Sequence, residues 1–180
     1  MSRVLFIRHA ETEMAGRFCG HSDPELNAQG RMQLAALTHL LSAEPIDAVY
    51  SSDLRRASST AQAIAAVREI PQVLRPALRE IDFGQWEGLS WEQIEQMDVE
   101  YACEWIARYP HLPAPSGESF EAFEARVLEE VHRLLDGNPG PIAVVTHGGV
   151  LRVVLRHFCA YSEEEAWQQT RAHCCIVRYG

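Results

Sequence analysis

Four residues that can handle phosphate stand where apolar runs of the sequence end or where a helix is predicted to begin. Arg8 and His9 directly follow the first apolar run, His147 follows a later one, and Arg56 falls in the first turn of a predicted helix. A guanidinium binds two phosphate oxygens with one planar fork. A neutral imidazole is a competent nucleophile near neutral pH. The residue types therefore indicate phosphoryl chemistry.

Phosphoryl transfer needs a nucleophile, positive charge around the equatorial oxygens and a proton for the leaving oxygen. Arg8 and Arg56 can supply the charge. The same arginines disfavour an imidazolium at His9, which keeps that ring nucleophilic. Glu80 is the candidate general acid, because a phosphate dianion bound beside it favours the protonated carboxyl.

The strands that position these residues are short apolar runs. Residues 4–7 and 142–145 are apolar throughout, as expected for strands buried on both faces, and we predict two further strands at 48–51 and 174–179. Helical segments separate them, so the sequence predicts a three-layer α/β/α domain around a mostly parallel sheet. Ligands of such sheets bind beyond the carboxyl ends of the strands, where the phosphate-handling residues fall.

The helices are predicted from cap residues and from apolar spacing. Helices are predicted to begin at Asn27 and from Ser119, and Asp53 is a predicted N-cap. Ser90 and Ser162 each precede a Gln or Glu by three residues, which is the spacing of a capping box. The apolar faces predicted for the helices after Asn27 and Ser119 consist of Leu34, Leu37, Leu40 and Leu41 in the first, and of Phe120, Phe123, Val127, Val131 and Leu134 in the second.

Composition and charge limit the classes of partner. The 180 residues are 47% hydrophobic and 23% charged, which is ordinary for a packed globular protein. We predict one domain over residues 1–180, with residues 86–115, rich in tryptophan and proline, as a small insertion over the active site. A formal net charge of -9 without a Lys/Arg run argues against nucleic acid and anionic membranes as partners. The expected partner is a small phosphorylated metabolite.

The cysteines and the first residues bear on the compartment. Five scattered cysteines favour neither a disulfide framework nor a metal site, and most are expected to be small buried hydrophobes. From Met1 the chain enters its first apolar run without the longer apolar stretch of a signal peptide, and no run is long enough to span a membrane. The expected compartment is the cytoplasm.

Five blocks of the sequence resemble the histidine phosphatase superfamily, which includes cofactor-dependent phosphoglycerate mutase. The first, Phe6–Thr12, is similar to the family's Arg-His-Gly-Glu-Thr signature. The other four, in chain order, are Gly20–Gly30, Ser51–Ala61, Leu78–Gly88 and Val144–Gly149. Any one block is a weak match, whereas five in order across almost the whole chain are specific.

The resemblance implies a phosphoglycerate mutase-like fold, with an antiparallel strand at one edge of the sheet, and a role for each candidate residue. His9 would carry the phosphoryl group and Glu80 would protonate the leaving oxygen. Arg56 matches the family arginine because it directly precedes an alanine, and Arg55 is expected at the surface. The implied phosphate-binding residues are Arg8, His9, Arg56, His147 and Gly148. No metal and no cofactor is implied.

Two positions depart from the family pattern. Ala10 replaces the glycine that usually follows the histidine, and if that position requires a positive φ the alanine costs about 1 kcal/mol. The asparagine that often follows the Glu-Thr pair is absent, with Met14 and Ala15 in that region, so one neutral phosphate ligand is expected to be missing. Every charged catalytic group remains, which favours an active enzyme.

The other histidines and the tryptophans lack a comparable motif context. We expect the histidines to be structural or surface residues and the tryptophans to pack in the core. They are His21, His39, His111, His132, His157, His173, Trp86, Trp91, Trp105 and Trp167. The alternative for the tryptophans is stacking on a flat group of the substrate, for which Trp86, beside Glu87, is the best placed.

Several functions share this pattern of residues. The chain ends soon after its last predicted strand, without the longer insertion and the tail that close the site of mutases, which favours hydrolysis. The pair Gly20-His21, the stretch Pro115–Phe123 and the pair Ala166-Trp167 resemble the alpha-ribazole phosphatases, which dephosphorylate a nucleotide-like intermediate of cobalamin biosynthesis. Sugar-phosphate phosphatases, phosphoprotein phosphatases and phosphoglycerate mutase stay open as alternatives. A phosphate-binding regulatory module without turnover is the non-enzyme alternative.

Overall fold

The computed structural model describes residues 3–180. The expectation that the chain has no signal peptide concerns the residues from Met1, and Met1 lies outside the described residues. Within them, five strands form one sheet: β1 (Val4–Arg8), β2 (Ala48–Ser51), β3 (Gln72–Leu74), β4 (Ile142–Thr146) and β5 (Ile176–Tyr179), in the order β3-β2-β4-β1-β5. β1 pairs with β4 in parallel and with β5 antiparallel, and β2 is parallel to β3 and β4. The predicted mostly parallel sheet with an antiparallel edge strand is confirmed.

Helices cover both faces of this sheet. Within residues 3–180 they are α1 (Ala28–Leu40), α2 (Arg55–Arg68), α3 (Trp91–Met97), α4 (Val99–Arg108), α5 (Phe120–Gly137), α6 (Gly148–Phe158) and α7 (Glu163–Thr170). Short 3-10 helices lie at Pro76–Leu78 and Gly84–Trp86. Four of the predicted helix starts are confirmed, and Asn27, Ser90, Ser119 and Ser162 each cap their helix by accepting a hydrogen bond from the backbone N–H three residues on.

The central strands β1 and β4 are buried on both faces, as predicted. Their side chains alternate between two apolar clusters, so each strand joins the two halves of the core. The cluster with α5 and α6 takes Val4, Phe6, Ile142 and Val144, and the cluster with α1 and α2 takes Leu5, Ile7, Ala143 and Val145. Because β1 and β4 are tightly packed on both faces, the residues just beyond their carboxyl ends are held in fixed positions.

Two details of the helices differ from the prediction. Asp53 does not cap α2: the residue after it holds the cap position, and the Asp53 carboxylate instead binds the guanidinium of Arg79. Leu40 does not belong to the apolar face of α1 and is 62% exposed. It lies about 100° around the helix from Leu41, which is buried.

Two details of the strands also differ. The sequence prediction missed β3, a strand of three residues between two prolines. The last strand begins at Ile176 and not at Cys174, because Cys174 has a φ of 58°, in the left-handed region that an extended strand cannot include.

The tryptophans and the cysteines differ in burial from what the sequence analysis predicted. Trp86 is buried, and Trp91 and Trp105 pack against it in a third apolar cluster formed by α3 and α4, whereas Trp167 is 51% exposed, so the core expectation is wrong for it. The cysteines are free thiols; Cys103 is exposed and the other four are partly buried, so the expectation of mostly buried cysteines is wrong. Across residues 3–180 no helix could span a membrane.

Candidate active site

Two adjacent parallel strands bring the two candidate histidines together. β1 ends at Arg8, directly opposite Thr146 at the end of β4. His9 and His147 are therefore the next residues on neighbouring strands, and their ring centroids are 5.1 Å apart. The backbone N–H of His9 donates to the carbonyl of Thr146 at 2.9 Å, which fixes the register of the pair.

The remaining candidates reach the same place from other segments. Glu80 lies between the two 3-10 helices, and the backbone N–H of Gly149 in the first turn of α6 donates to its Oε2 at 2.9 Å. A Cβ on Gly149 would overlap the Glu80 carboxylate, so this contact requires glycine. Arg8, His9, Glu80 and Gly148 line a cavity of about 730 Å³. Arg56 and His147 are not among the lining residues but are buried next to the cavity, 1% and 0% exposed, and the His147 ring lies 5.1 Å from that of His9.

The tautomer and charge of His9 suit a nucleophile. Its Nδ1 lies 2.7 Å from the carbonyl oxygen of Ala10, so Nδ1 carries the proton and Nε2 carries the lone pair. Burial, followed by the charges of Arg56 and Arg8, holds the pKa of His9 well below its usual value. A neutral ring with Nε2 unprotonated can attack phosphorus.

His147 is a buried imidazole without a partner. Within residues 3–180 neither ring nitrogen makes a hydrogen bond, although the side chain is fully buried. Burial, then Arg56 and His9, lower its pKa well below the usual value. Buried polar atoms are normally paired, so the unpaired imidazole fits a phosphate oxygen as its partner.

Arg8 is anchored at one end and unpaired at the other. Its NH1 donates to the carbonyl oxygens of Thr170, at 2.8 Å, and Arg171, at 2.6 Å, where the negative end of the α7 dipole favours a cation. Its Nε is buried and has no hydrogen-bond partner among residues 3–180. The anchor therefore orients a donor that remains available to a ligand.

Arg56 is held by the carbonyls of the loop at residues 19–22. Its NH1 donates to Ser22 and its NH2 to Gly20, both at 2.7 Å, and within residues 3–180 its Nε is buried without a partner. Arg55, by contrast, points away from the site, and its guanidinium pairs with Glu25 at the surface. The structure thus separates the two neighbouring arginines as the family pattern implied.

Glu87 organises that loop, a role that the sequence analysis missed. Its carboxylate accepts backbone N–H bonds from Gly20, His21, Ser22 and Phe83, at 2.8 to 3.1 Å. Burial raises its pKa, but the hydrogen bonds from Ser22, His21 and Phe83 outweigh the burial and hold the pKa below its usual range. The charged carboxylate therefore fixes the carbonyls that hold the arginine of α2.

Replacing Glu87 with glutamine should lower the free energy of unfolding by roughly 2–3 kcal/mol, because a charged acceptor of several N–H groups is lost. Displacement of Arg56 should also reduce kcat/KM by up to about 100-fold. Urea denaturation and steady-state kinetics measure the two effects. The matched control is Glu95→Gln on the exposed face of α3. Wild-type stability and kinetics in Glu87→Gln would refute the organising role.

The departure at Ala10 is accommodated without strain. Positive φ outside glycine occurs only at Glu69, Ser116, Ala160 and Cys174 among residues 3–180, so the expected conformational cost at Ala10 does not arise. Its N–H donates to the hydroxyl of Thr60 at 3.2 Å, and this hydroxyl donates to the carbonyl of Arg56 at 2.7 Å. Met14 and Ala15 line the cavity without side-chain hydrogen-bonding groups.

His173 is a second residue near the site that no sequence motif singled out. It lines the cavity, its ring centroid is 5.5 Å from that of His9, and its Nδ1 is 3.6 Å from Glu11 Oε2. Burial and the charge of Arg8 lower its pKa to about 4, against the opposing effect of Glu11. It therefore stays neutral beside the nucleophile near neutral pH.

These lowered pKa values predict a loss of stability in acid. The unfolded chain binds protons at these histidines near pH 6.5, whereas folded His9, His147 and His173 bind them only at lower pH. The free energy of unfolding should thus be highest above pH 6.5 and fall as the pH drops towards 4, by at most about 1.4 kcal/mol per pH unit for each histidine.

Urea denaturation at several pH values tests this expectation. His173→Gln should flatten the loss between pH 6.5 and about 4, whereas His39→Gln, on the exposed side of α1, should leave the slope unchanged. An identical slope in His173→Gln and wild type would contradict the assignment.

Comparisons with known proteins agree with the phosphoryl chemistry that the geometry of the site indicates. The family model of the histidine phosphatase superfamily, branch 1, matches residues 4–180. The chain is 33% identical over 168 residues to the adenosylcobalamin/alpha-ribazole phosphatase of Escherichia coli K12, covering 92% of this chain and 83% of that protein. It is 35% identical over 161 residues to a metal-independent phosphoserine phosphatase of Arabidopsis thaliana, covering 86% and 67%. The solved alpha-ribazole phosphatase of Shigella flexneri superposes with a TM-score of 0.88 at 31% identity, covering 98% and 89%.

Proposed function

This chain belongs to the histidine phosphatase superfamily and is a phosphatase, and on that premise we propose that it hydrolyses phosphomonoesters through a phosphohistidine at His9, without a metal ion. One observation carries the proposal. Beside His9, the Nε atoms of Arg8 and Arg56 and both ring nitrogens of His147 are buried without a partner in residues 3–180. Phosphate oxygens can accept from the two guanidinium Nε atoms and from the one protonated ring nitrogen of His147, and the phosphate charge offsets that of the arginines.

The first step forms a bond between Nε2 of His9 and phosphorus while the bond from phosphorus to the ester oxygen breaks. Glu80 gives its proton to that oxygen, which leaves as an alcohol. Arg8 and Arg56 neutralise the equatorial oxygens, where negative charge is concentrated in the transition state, and the neutral ring of His147 donates a hydrogen bond to one of them. The first turn of α6, with Gly148 at its start, adds a helix N-terminus that favours an anion.

The second step returns the enzyme to its starting state. Water attacks phosphorus, the bond to His9 breaks, and the Glu80 carboxylate takes a proton from the water. Inorganic phosphate then leaves, with Glu80 protonated again for the next substrate. The contact from Gly149 holds the carboxyl in one place during both proton transfers.

For the substrate we propose alpha-ribazole phosphate. The relatives from Escherichia coli and Shigella flexneri are alpha-ribazole phosphatases, similar to this chain over most of its length. A cavity of about 730 Å³ also offers room well beyond one phosphate group, as a nucleotide-like ester requires. We further propose that residues 86–115, which contribute part of the cavity wall, are the cover of the site within one domain.

Phosphate release from a panel of esters, measured with and without excess EDTA, tests this function. We expect unchanged turnover in EDTA and the highest kcat/KM with alpha-ribazole phosphate. Loss of activity that magnesium or zinc restores would refute metal independence. A higher kcat/KM with phosphoserine would assign the enzyme to the activity of the Arabidopsis relative. No release from any ester, including an aryl phosphate, would favour a regulatory module.

A further inference from the structure

The cavity extends from the phosphate site to a wall formed by α6 and α7. Two side chains of this wall, Arg152 of α6 and Trp167 of α7, line the cavity and contact each other. The Arg152 guanidinium lies 4.5 Å from the centroid of the Trp167 ring, within the range of a cation–π interaction. A large aromatic side chain is thus held in place at the surface of the catalytic cavity.

The contact leaves much of the indole exposed. Although Arg152 lies over the ring, 51% of the surface of Trp167 remains exposed. The carboxylates of Glu124 and Glu163, near this wall, form ion pairs with Arg156. Within residues 3–180 no carboxylate forms an ion pair with Arg152. Arg152 therefore holds the indole in place, and about half of the Trp167 surface stays exposed.

Tyr109, which follows α4, belongs to the other wall of the same cavity. Its ring packs between Trp105, at 5.3 Å, and Phe120, at 6.5 Å between centroids. Burial raises the pKa of Tyr109, and the charges that act on its hydroxyl include Arg152 and Glu80. The Tyr109 hydroxyl is thus close enough to Arg152 and to Glu80 for their charges to act on it.

We propose that Trp167, braced by Arg152 and with Tyr109 on the other wall, forms a subsite that stacks a flat, uncharged aromatic base on the leaving group of the ester. The proposal rests on the proposed hydrolase function and adds the residues that recognise the substrate. Every aromatic base offers a π face to an indole, and the mostly apolar side chains of the cavity suit a ring better than a charged amino acid.

Binding of two phosphonates, which the enzyme cannot hydrolyse, tests the subsite without turnover. The phosphonate analogue of AMP carries a base, and methylphosphonate does not. We expect Trp167→Ala to weaken the AMP analogue by roughly 5- to 150-fold, as for loss of one base–aromatic stack. The Kd of methylphosphonate should stay within about twofold. Trp167→Phe should restore most of the affinity, because it keeps an aromatic face.

Tyr161→Ala is the matched control, since Tyr161 is an exposed aromatic residue between α6 and α7 that does not line the cavity. It should leave both affinities unchanged. Equal affinity of wild type and Trp167→Ala for the AMP analogue would overturn the subsite, as would an equal loss for both phosphonates. Arg152→Met should reduce binding of the AMP analogue. If it reduced only the binding of a phosphoserine phosphonate, Arg152 would be a carboxylate ligand, and the base-stacking role would be wrong.

Turnover of AMP and of β-glycerol phosphate, measured on the same variants, separates this proposal from the hydrolase function. Absence of turnover in a wild-type protein that binds the AMP analogue through Trp167 would refute the hydrolase and leave the subsite. Turnover of both esters with equal kcat/KM in wild type and Trp167→Ala would refute the subsite and leave the hydrolase.

Discussion

His9→Ala should lower kcat by about 10⁴-fold or more while the protein stays folded, because the substitution removes the nucleophile and no other group completes the same two-step reaction. The His9 side chain contributes little to the apolar core: it lies beyond the end of β1, against the cavity. Circular dichroism and steady-state kinetics on an aryl phosphate test both parts. His132→Ala, on the exposed side of α5, is the matched control and should keep wild-type activity.

Trapping the intermediate distinguishes attack by His9 from direct attack by water. Rapid quenching with labelled substrate, without acid, should capture a phosphoramidate that is labile in acid and stable in base. Peptide mapping should place the label on His9 and not on His147. His147→Ala should retain weak phosphate binding and lose mainly the chemical step. Substantial activity in a folded His9→Ala protein would exclude the covalent mechanism.

Glu80→Gln should have a large effect that depends on the leaving group. General acid catalysis contributes roughly 10²- to 10⁴-fold where the departing oxygen needs a proton, so alkyl esters should lose about that much kcat/KM, which reports the steps up to departure of the alcohol. Aryl phosphates, whose phenolate leaves without help, should lose far less in the first step. The glutamine can still accept the Gly149 N–H, which makes this a test of the proton and not of the contact.

Kinetics on a series of esters with graded leaving-group pKa measure this dependence. Glu164→Gln, at an exposed position of α7, provides the control with unchanged kinetics. A loss of kcat/KM of the same size on alkyl and aryl esters would show that Glu80 does not donate a proton to the leaving oxygen.

The residues at strand ends were predictable because their positions follow from local patterns. An apolar run buried on both faces predicts a strand, and the polar residue after it must leave the sheet at its carboxyl edge. This reasoning, with the family resemblance, brought His9, Arg56 and His147 to one site before the structure. Cap residues and apolar spacing predicted four helix starts in the same local way.

The missed residues act through contacts that no local pattern records. Glu87 acts on backbone N–H groups of a loop more than 60 residues earlier, so its importance depends on tertiary packing alone. His173 reaches His9 only because β5 pairs antiparallel with β1. For Trp167, the capping box predicted a helix but not which of its faces is covered: Ala166 is buried and its neighbour is exposed.

The anchor of Arg8 on α7 has a consequence for substrate length. The carbonyl of Thr170 holds the guanidinium, and Trp167 lies about one helical turn earlier on the same helix. One rigid segment therefore carries both the support for the phosphate ligand and the aromatic surface, so the span between them does not adjust to the ester. If Arg8 binds the phosphate and Trp167 stacks the ring, as proposed, esters whose ring lies one or two bonds nearer to or farther from phosphorus should engage only one of the two.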